Sequence, residues 1–167
     1  MRKKNYCHFC GSILTERLCD GRMRLFCSKC NEPVYENPVP ANCIVLVDKT
    51  GRLLLVKRSI EPKKGRWCLP GGFIELEETP EKSALRELKE ETGLVGKIEM
   101  LLGVVSTHSP QYNTVLMFSY LIKDYSGVLI AGDDADDADF FHIDHLPEIA
   151  FESHSRFIRM YCCAYAI

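Results

Sequence analysis

The sequence lacks a long apolar segment, because no hydrophobic run approaches the roughly 18 residues that a membrane-spanning helix needs. Its start is basic, with Arg2, Lys3 and Lys4, but it lacks the hydrophobic stretch that follows such residues in a secretory signal. Positive charge is not in excess either, since 21 Lys and Arg against 23 Asp and Glu leave a net charge of −2. We therefore expect a cytoplasmic protein without a membrane partner, and the charge argues against nucleic acid as a partner.

The sequence also lacks an excess of glycine or proline, with 11 and 8 in 167 residues, which excludes collagen-like and low-complexity chains. The first thirty residues have few large apolar side chains and no hydrophobic period, so they cannot build a core of their own. Beyond them, strand-like apolar runs are interspersed with helical segments. We predict two domains, residues 1–37 and residues 38–167, the second a layered domain of the α/β or α+β class.

Three local patterns within the second domain predict its elements. Apolar residues 43–47 and 53–56 flank a polar turn and predict a hairpin of two buried strands. Thr79 followed by Pro80 predicts the start of a helix that ends near Gly93. The acidic stretch 133–139 is the only compositionally biased segment, and a solvated loop is the simplest interpretation of it.

Nine cysteines are a high number for this length, and four of them form two CxxC pairs separated by sixteen residues. The pairs are Cys7 with Cys10 and Cys27 with Cys30. Two such pairs at this separation are typical of a four-sulfur zinc site, and the missing export signal disfavours disulfides. Because four cysteines leave no open position on the metal, we predict a structural Zn²⁺ site.

Three glutamates, Glu87, Glu90 and Glu91, stand at positions i, i+3 and i+4 of the predicted helix and therefore share one face. Crowded carboxylates repel one another unless a cation lies among them, and hard oxygen ligands suit Mg²⁺ or Mn²⁺. A solvated acidic helix is the alternative interpretation of these glutamates alone.

The segment from Gly72 to Leu94 resembles the Nudix box, Gly-x5-Glu-x7-Arg-Glu-(apolar)-x-Glu-Glu-x-Gly-(apolar). Each constrained position is filled, by Gly72, Glu78, Arg86, Glu87, Leu88, Glu90, Glu91, Gly93 and Leu94. The resemblance implies an α+β fold, an α/β/α sandwich with a mixed sheet between helices, preceded here by a small zinc ribbon. It also implies that Glu87, Glu90 and Glu91 bind the catalytic metal, with help from the carbonyl of Gly71 or Gly72. Glu78 and Arg86 would pair and orient the loop against the helix.

The residue that takes the proton from water is left open between a helix glutamate and an acid outside the box. Many Nudix proteins have a glutamate ahead of an aromatic residue in this region, and this resemblance suggests Asp134 or Asp137 as the acid outside the box. His108 and Tyr112 lie in a polar loop and are our candidates for contacts with the substrate, because loops commonly carry specificity.

A zinc ribbon fused to a Nudix domain is similar to the NADH pyrophosphatases and to related hydrolases of ADP-ribose or FAD. This resemblance implies an Mg²⁺-dependent pyrophosphohydrolase acting on a small nucleoside diphosphate linked to another moiety, and commonly a homodimer. The Ser-Gln-Pro-Trp-Pro-Phe-Pro run of the NADH enzymes is missing, so ADP-ribose and FAD stand equal to NADH. Two alternatives are a nucleotide sensor without catalysis and a hydrolase of capped RNA ends that uses the basic head of the chain.

Overall fold

The computed structural model describes residues 4–165, which divide into two compact units. The first unit contains the residues up to Val39 together with His108–Thr114. The second contains Pro40–Thr107 and the residues from Val115 onward. The division into domains after residue 37 stays a prediction, and the sequence did not suggest that residues 108–114 group with the N-terminal segment.

The first unit is a three-stranded antiparallel sheet of strands β1 (Thr15–Cys19), β2 (Arg22–Cys27) and β3 (Glu32–Val34). Asp20 and Gly21, both with positive φ, form the two-residue turn that suits a tight hairpin. The buried apolar residues are few and include two cysteines, Cys7 and Cys27, beside Val34. That this unit is held together by its cysteines stays a prediction, with which the small number of buried apolar residues agrees.

Most of the second unit consists of six strands, β4 (Val39–Leu46), β5 (Arg52–Arg58), β6 (Trp67–Cys68), β7 (Val95–Ser109), β8 (Asn113–Ser126) and β9 (Ala135–His142), although one end each of β4, β7 and β8 is grouped with the first. The six strands form two three-stranded sheets, with strand orders β4-β8-β7 and β6-β5-β9. The predicted hairpin of β4 and β5 is correct at its base, where Val47 pairs with Leu53. Beyond that bridge it is wrong, because β4 pairs with β8 and β5 pairs with β9.

Two helices complete the second unit, α1 (Pro80–Thr92) and α2 (Glu152–Tyr165). The predicted signals of α1 are confirmed: the Thr79 side chain accepts a hydrogen bond from the Lys82 N–H, and Gly93 ends the helix at a φ of 71°.

Alternate residues of β4 enter two separate cores, so both faces of this strand are buried. Cys43 and Val45 pack in a core with Phe157 of α2, whereas Ile44 packs in a core with Leu88 of α1. The sheets thus lie between two helices, which confirms the predicted α+β sandwich. Within residues 4–165, the structure contains no helix with the length and apolar character needed to span a membrane.

Candidate active site and cysteine cluster

The turn Pro70–Gly72 lies against the backbone of β4. The Ile44 N–H donates to the Pro70 carbonyl, and the Asn42 N–H donates to the Gly72 carbonyl, each at 2.8 Å. Gly71 has a φ of 145°, and a Cβ built there would lie 2.3 Å from the Asn42 carbonyl oxygen. Only glycine allows the turn to approach the strand this closely.

Helix α1 presents two of its glutamates to this turn. The Gly71 N–H donates to Oε2 of Glu91 at 2.8 Å. A Cβ on Gly72 would lie 2.5 Å from Oε1 of Glu87, so the Glu87 carboxylate packs directly against the Gly72 backbone. Glu91 is only 5% exposed. Each glycine of the turn therefore contacts one of these carboxylates, that of the buried Glu91 and that of the partly buried Glu87.

Arg86 connects the remaining acids of the Nudix-like segment. Its Nε and Nη2 donate to the two carboxylate oxygens of Glu78 at 2.7 and 3.0 Å. Its Nη1 donates to Glu87 at 2.9 Å and to Glu90 at 2.8 Å. This guanidinium lowers the pKa of Glu78 to about 2, so Glu78 is ionised throughout the physiological range. The Arg86–Glu78 pair that the resemblance implied is present.

Burial and neighbouring negative charge both disfavour ionisation of the carboxylates beside the turn. Burial is the main cause that raises the pKa of Glu91 to about 8, with added repulsion from Glu87 and Asp134 and an opposing hydrogen bond from Gly71. Burial likewise raises the pKa of Glu87, and Glu90 and Asp133 add to the effect. Such crowded, hard oxygen ligands fit a divalent cation of the Mg²⁺ or Mn²⁺ type.

The acids outside the box come from the segment that joins β8 to β9. The Gly132 N–H donates to the Glu91 carbonyl at the end of α1, and the Asp134 carbonyl accepts from the Ser59 N–H. These bonds bring Asp133 and Asp134 close enough for their charges to act on the helix glutamates. Asp134 was one of the acids predicted from the sequence, whereas Asp133, which adopts a positive φ of 49° directly after a glycine, was not.

The interpretation of residues 133–139 as a loop is wrong from Ala135 onward, because that part is strand β9, paired along β5. Alternation explains the acidic composition: Ala135 is buried, while exposed acids such as Asp137 alternate with less exposed residues. Asp137 lies opposite Lys57 on the neighbouring strand. His108 and Tyr112 belong to residues 108–114 in the first unit, and their contact with a substrate stays a prediction.

The four predicted cysteines, Cys7, Cys10, Cys27 and Cys30, form one cluster in the first unit. Their sulfur atoms all lie within 4.8 Å of one another, with 3.9 Å between Cys7 and Cys30 and 3.4 Å between Cys10 and Cys27. A tetrahedron with metal–sulfur distances of about 2.3 Å has edges of about 3.8 Å, so the cluster fits Zn²⁺.

Within residues 4–165, no other group of three or more His, Cys, Asp or Glu side chains brings its potential ligand atoms this close together. The three helix glutamates do not converge as closely, because Arg86 holds Glu87 and Glu90 while Gly71 holds Glu91.

His154 was not among the residues predicted from the sequence; it is a buried residue of α2 whose Nδ1 accepts a hydrogen bond from the Leu69 N–H at 3.1 Å. A signal was available, because His154 lies in one apolar stripe with Phe157, Ile158 and Tyr161 at positions i, i+3, i+4 and i+7. A histidine on the buried face of a helix needs a polar partner, which points to a tertiary hydrogen bond.

A family model described as the NUDIX domain matches residues 37–161. An ADP-ribose pyrophosphatase of Methanocaldococcus jannaschii is 42% identical over 118 residues, which cover 70% of this chain and 69% of that protein. A NAD-capped RNA hydrolase NudC of Salmonella paratyphi C is 29% identical over 147 residues, which cover 87% of this chain and 54% of that protein. The chain thus spans about half the length of the NudC relatives that it matches.

Solved structures show the same fold. A NUDIX hydrolase from Nitrosomonas europaea matches with a TM-score of 0.77 at 27% identity, covering 97% of this chain and 93% of that one. The NUDIX domain of Shewanella oneidensis NrtR, solved in complex with ADP ribose, matches with a TM-score of 0.70 at 23% identity, covering 84% and 94%.

Proposed function

Because the chain belongs to the Nudix family, it is a Nudix-type hydrolase of phosphorus-containing acid anhydrides, and we propose that it cleaves a nucleoside diphosphate linked to a second moiety. The observation that carries this proposal is the pair of carboxylates beside the glycine turn, of which Glu91 is buried and Glu87 is mostly buried. Two such charges are costly to bury without a cation, and a cation there would in turn bind phosphate oxygens.

Glu87, Glu90 and Glu91 would hold the Mg²⁺ or Mn²⁺, which supplies a polarised phosphate and a more acidic bound water. The Gly72 carbonyl already accepts the Asn42 N–H, so the carbonyl of Gly71 is the better backbone ligand. Arg86 would keep Glu87 and Glu90 in place through its anchor on Glu78. Asp133 and Asp134 stand close enough to the helix glutamates to be the acids from which a proton acceptor is drawn.

ADP-ribose is the substrate that we favour among the linked diphosphates. The relative that is 42% identical is named an ADP-ribose pyrophosphatase, and the chain covers more than two thirds of it. NADH and FAD remain in the same chemical class, since each carries a nucleoside diphosphate bonded to a second group.

A capped RNA end is the second candidate, supported by the match to the NAD-capped RNA hydrolases. That match covers 87% of the chain, a larger share than residues 37–167 provide, so it includes part of the cysteine-containing segment. In that segment Arg24 lies over the ring of the exposed Tyr35, a pairing of a cation and an aromatic ring that suits single-stranded nucleic acid.

The test is product release with Mg²⁺ from ADP-ribose, NADH, FAD and an NAD-capped oligoribonucleotide, each with wild type, Glu90→Gln and Glu152→Gln. Glu152 is an exposed glutamate of α2 and serves as the matched control. Loss of a metal ligand removes several kcal/mol of stabilisation, so Glu90→Gln should lose at least about 100-fold in rate. Tight binding of a substrate by wild type without cleavage would instead support the sensor, and cleavage unaffected by Glu90→Gln would contradict the proposed site.

The four cysteines would hold a structural Zn²⁺ and make the first unit a zinc ribbon. Elemental analysis of purified protein should find about one zinc per chain, and Cys27→Ser should reduce it. The homodimer and the cytoplasmic location expected from the sequence stay predictions.

A further inference from the structure

The side chain of His154 reaches from α2 to the strand segment that leads into the glycine turn. Strand β6 ends at Cys68, where Cys68 pairs with Val56 of β5. Leu69 is the next residue, is completely buried, and lies beyond the last backbone pair of that strand. Its N–H therefore needs a partner from outside the sheet, and Nδ1 of His154 provides one at 3.1 Å.

Nδ1 can accept this bond only if His154 carries no proton on that nitrogen. The side chain is 5% exposed, and burial together with the nearby positive charge of Arg58 lowers the pKa of His154 to about 3. The imidazole is therefore neutral in the physiological pH range, with its proton on Nε2.

The bond from His154 is the first of a short series that ends at the acidic site. Leu69 is held by α2, the Pro70 carbonyl is held by β4, and the Gly71 N–H holds Glu91 of α1. Leu69 and Gly71 are separated only by Pro70, so a shift of the Leu69 N–H also moves the Gly71 N–H. Each of the residues Leu69 to Gly72 makes one of these hydrogen bonds or the bond from Asn42, and His154 supplies the bond to Leu69.

We propose that His154 is a positioning residue for the divalent metal site, acting through the Leu69–Gly72 backbone on Glu91. This inference rests on the proposed function, because it concerns the cation that the glutamates would hold. Partners that orient metal ligands from outside typically change metal affinity about 10- to 100-fold when they are lost.

Two substitutions separate the hydrogen bond from the packing of the ring. His154→Phe keeps a ring of similar shape but leaves the buried Leu69 N–H without an acceptor. His154→Asn places its Oδ1 as many bonds from the backbone as Nδ1, so it keeps the acceptor although it loses volume. A purely structural role predicts that both variants lose function in proportion to their loss of thermal stability.

The experiment is a titration of the full-length protein with Mn²⁺ in the absence of substrate, followed by electron paramagnetic resonance. His154→Phe should bind Mn²⁺ about tenfold more weakly than wild type, and His154→Asn within about twofold, even if both have a lower Tm. Equal Mn²⁺ affinity of His154→Phe and wild type, or equal weakening in both variants, would overturn the proposal. If wild type itself bound no Mn²⁺, the proposed function would fail first, which distinguishes the two failures.

A measurement on the wild type covers the case in which His154→Phe does not fold. Two-bond proton–nitrogen NMR spectra of ¹⁵N-labelled protein should show His154 as the neutral tautomer protonated on Nε2, with a slowly exchanging Leu69 amide. Protonation on Nδ1 or rapid exchange of that amide would refute the bond on which the proposal depends.

Discussion

Replacing Gly72 with alanine should reduce hydrolysis about 100-fold while leaving the protein folded. The new Cβ would lie 2.5 Å from Oε1 of Glu87, whereas ordinary contacts begin near 3.4 Å, so the carboxylate must retreat by about 0.9 Å. The Glu87 side chain is flexible enough to do so, and Gly72 has an ordinary φ, so the cost to folding is small. A displacement of about 1 Å in a reacting arrangement can cost 10²-fold in rate.

The assay compares kcat, the Mg²⁺ concentration that gives half-maximal rate, and Tm across three alanine substitutions. Gly71→Ala is the contrast, because its Cβ would meet a backbone oxygen at 2.3 Å and its φ is 145°, so it should lose at least about 2 kcal/mol of stability. Gly103→Ala is the control, because its Cβ would lie 3.1 Å from the flexible Met160 side chain and 3.8 Å from Phe157, outside the site. Wild-type kcat and Mg²⁺ response in Gly72→Ala would refute the reasoning, as would a loss of Tm equal to that of Gly71→Ala.

Three further predictions concern charge and metal. In the absence of metal, the free energy of unfolding should fall as pH rises from about 5 to 8, by at most about 1.4 kcal/mol per pH unit. The reason is that Glu91 keeps its proton up to about pH 8 in the folded protein but loses it near pH 4.5 in the unfolded chain. Urea titrations should show that Glu91→Gln or Mg²⁺ flattens this dependence, and a flat profile for the metal-free wild type would contradict the burial argument. Removal of zinc by a strong chelator should expose the four thiols to a thiol reagent and increase amide exchange in the first unit, while residues of the second unit remain protected. Equal exchange in both units would count against a structural role of zinc that is confined to the first unit. Glu78→Gln should raise the half-saturating Mg²⁺ concentration about tenfold, because Arg86 then competes more strongly with the metal ion for Glu87 and Glu90. An unchanged Mg²⁺ response would show that the Arg86–Glu78 pair does not set metal affinity.

Local patterns explain why so much of the site could be predicted. Glu87 and Glu91 are one helical turn apart, and the Thr79 cap and the Gly93 stop depend only on neighbouring residues. The cysteine pairs are equally local, since a CxxC turn brings two thiols together by itself. Contacts that form within a few residues depend on backbone geometry, which residue spacing describes well.

The missed features all involve residues far apart in the chain. Asp133 acts on Glu87 although 46 positions separate them, and Leu69 is bonded by His154 across 85 positions. The predicted hairpin of β4 and β5 was wrong beyond its base for the same reason, because apolar runs do not specify which strand will pair with which.

The sequence by itself determined the helix that carries the acids, the spacing of Glu87, Glu90 and Glu91 along it, and the two cysteine pairs, because each depends on local geometry. Only the tertiary structure decided that Gly71 would reach Glu91, that Asp133 and Asp134 would face the same helix end, and that His154 would hold Leu69. The physical reason is burial: packing brings these distant groups into one water-poor region, where each N–H and each charge must find a partner.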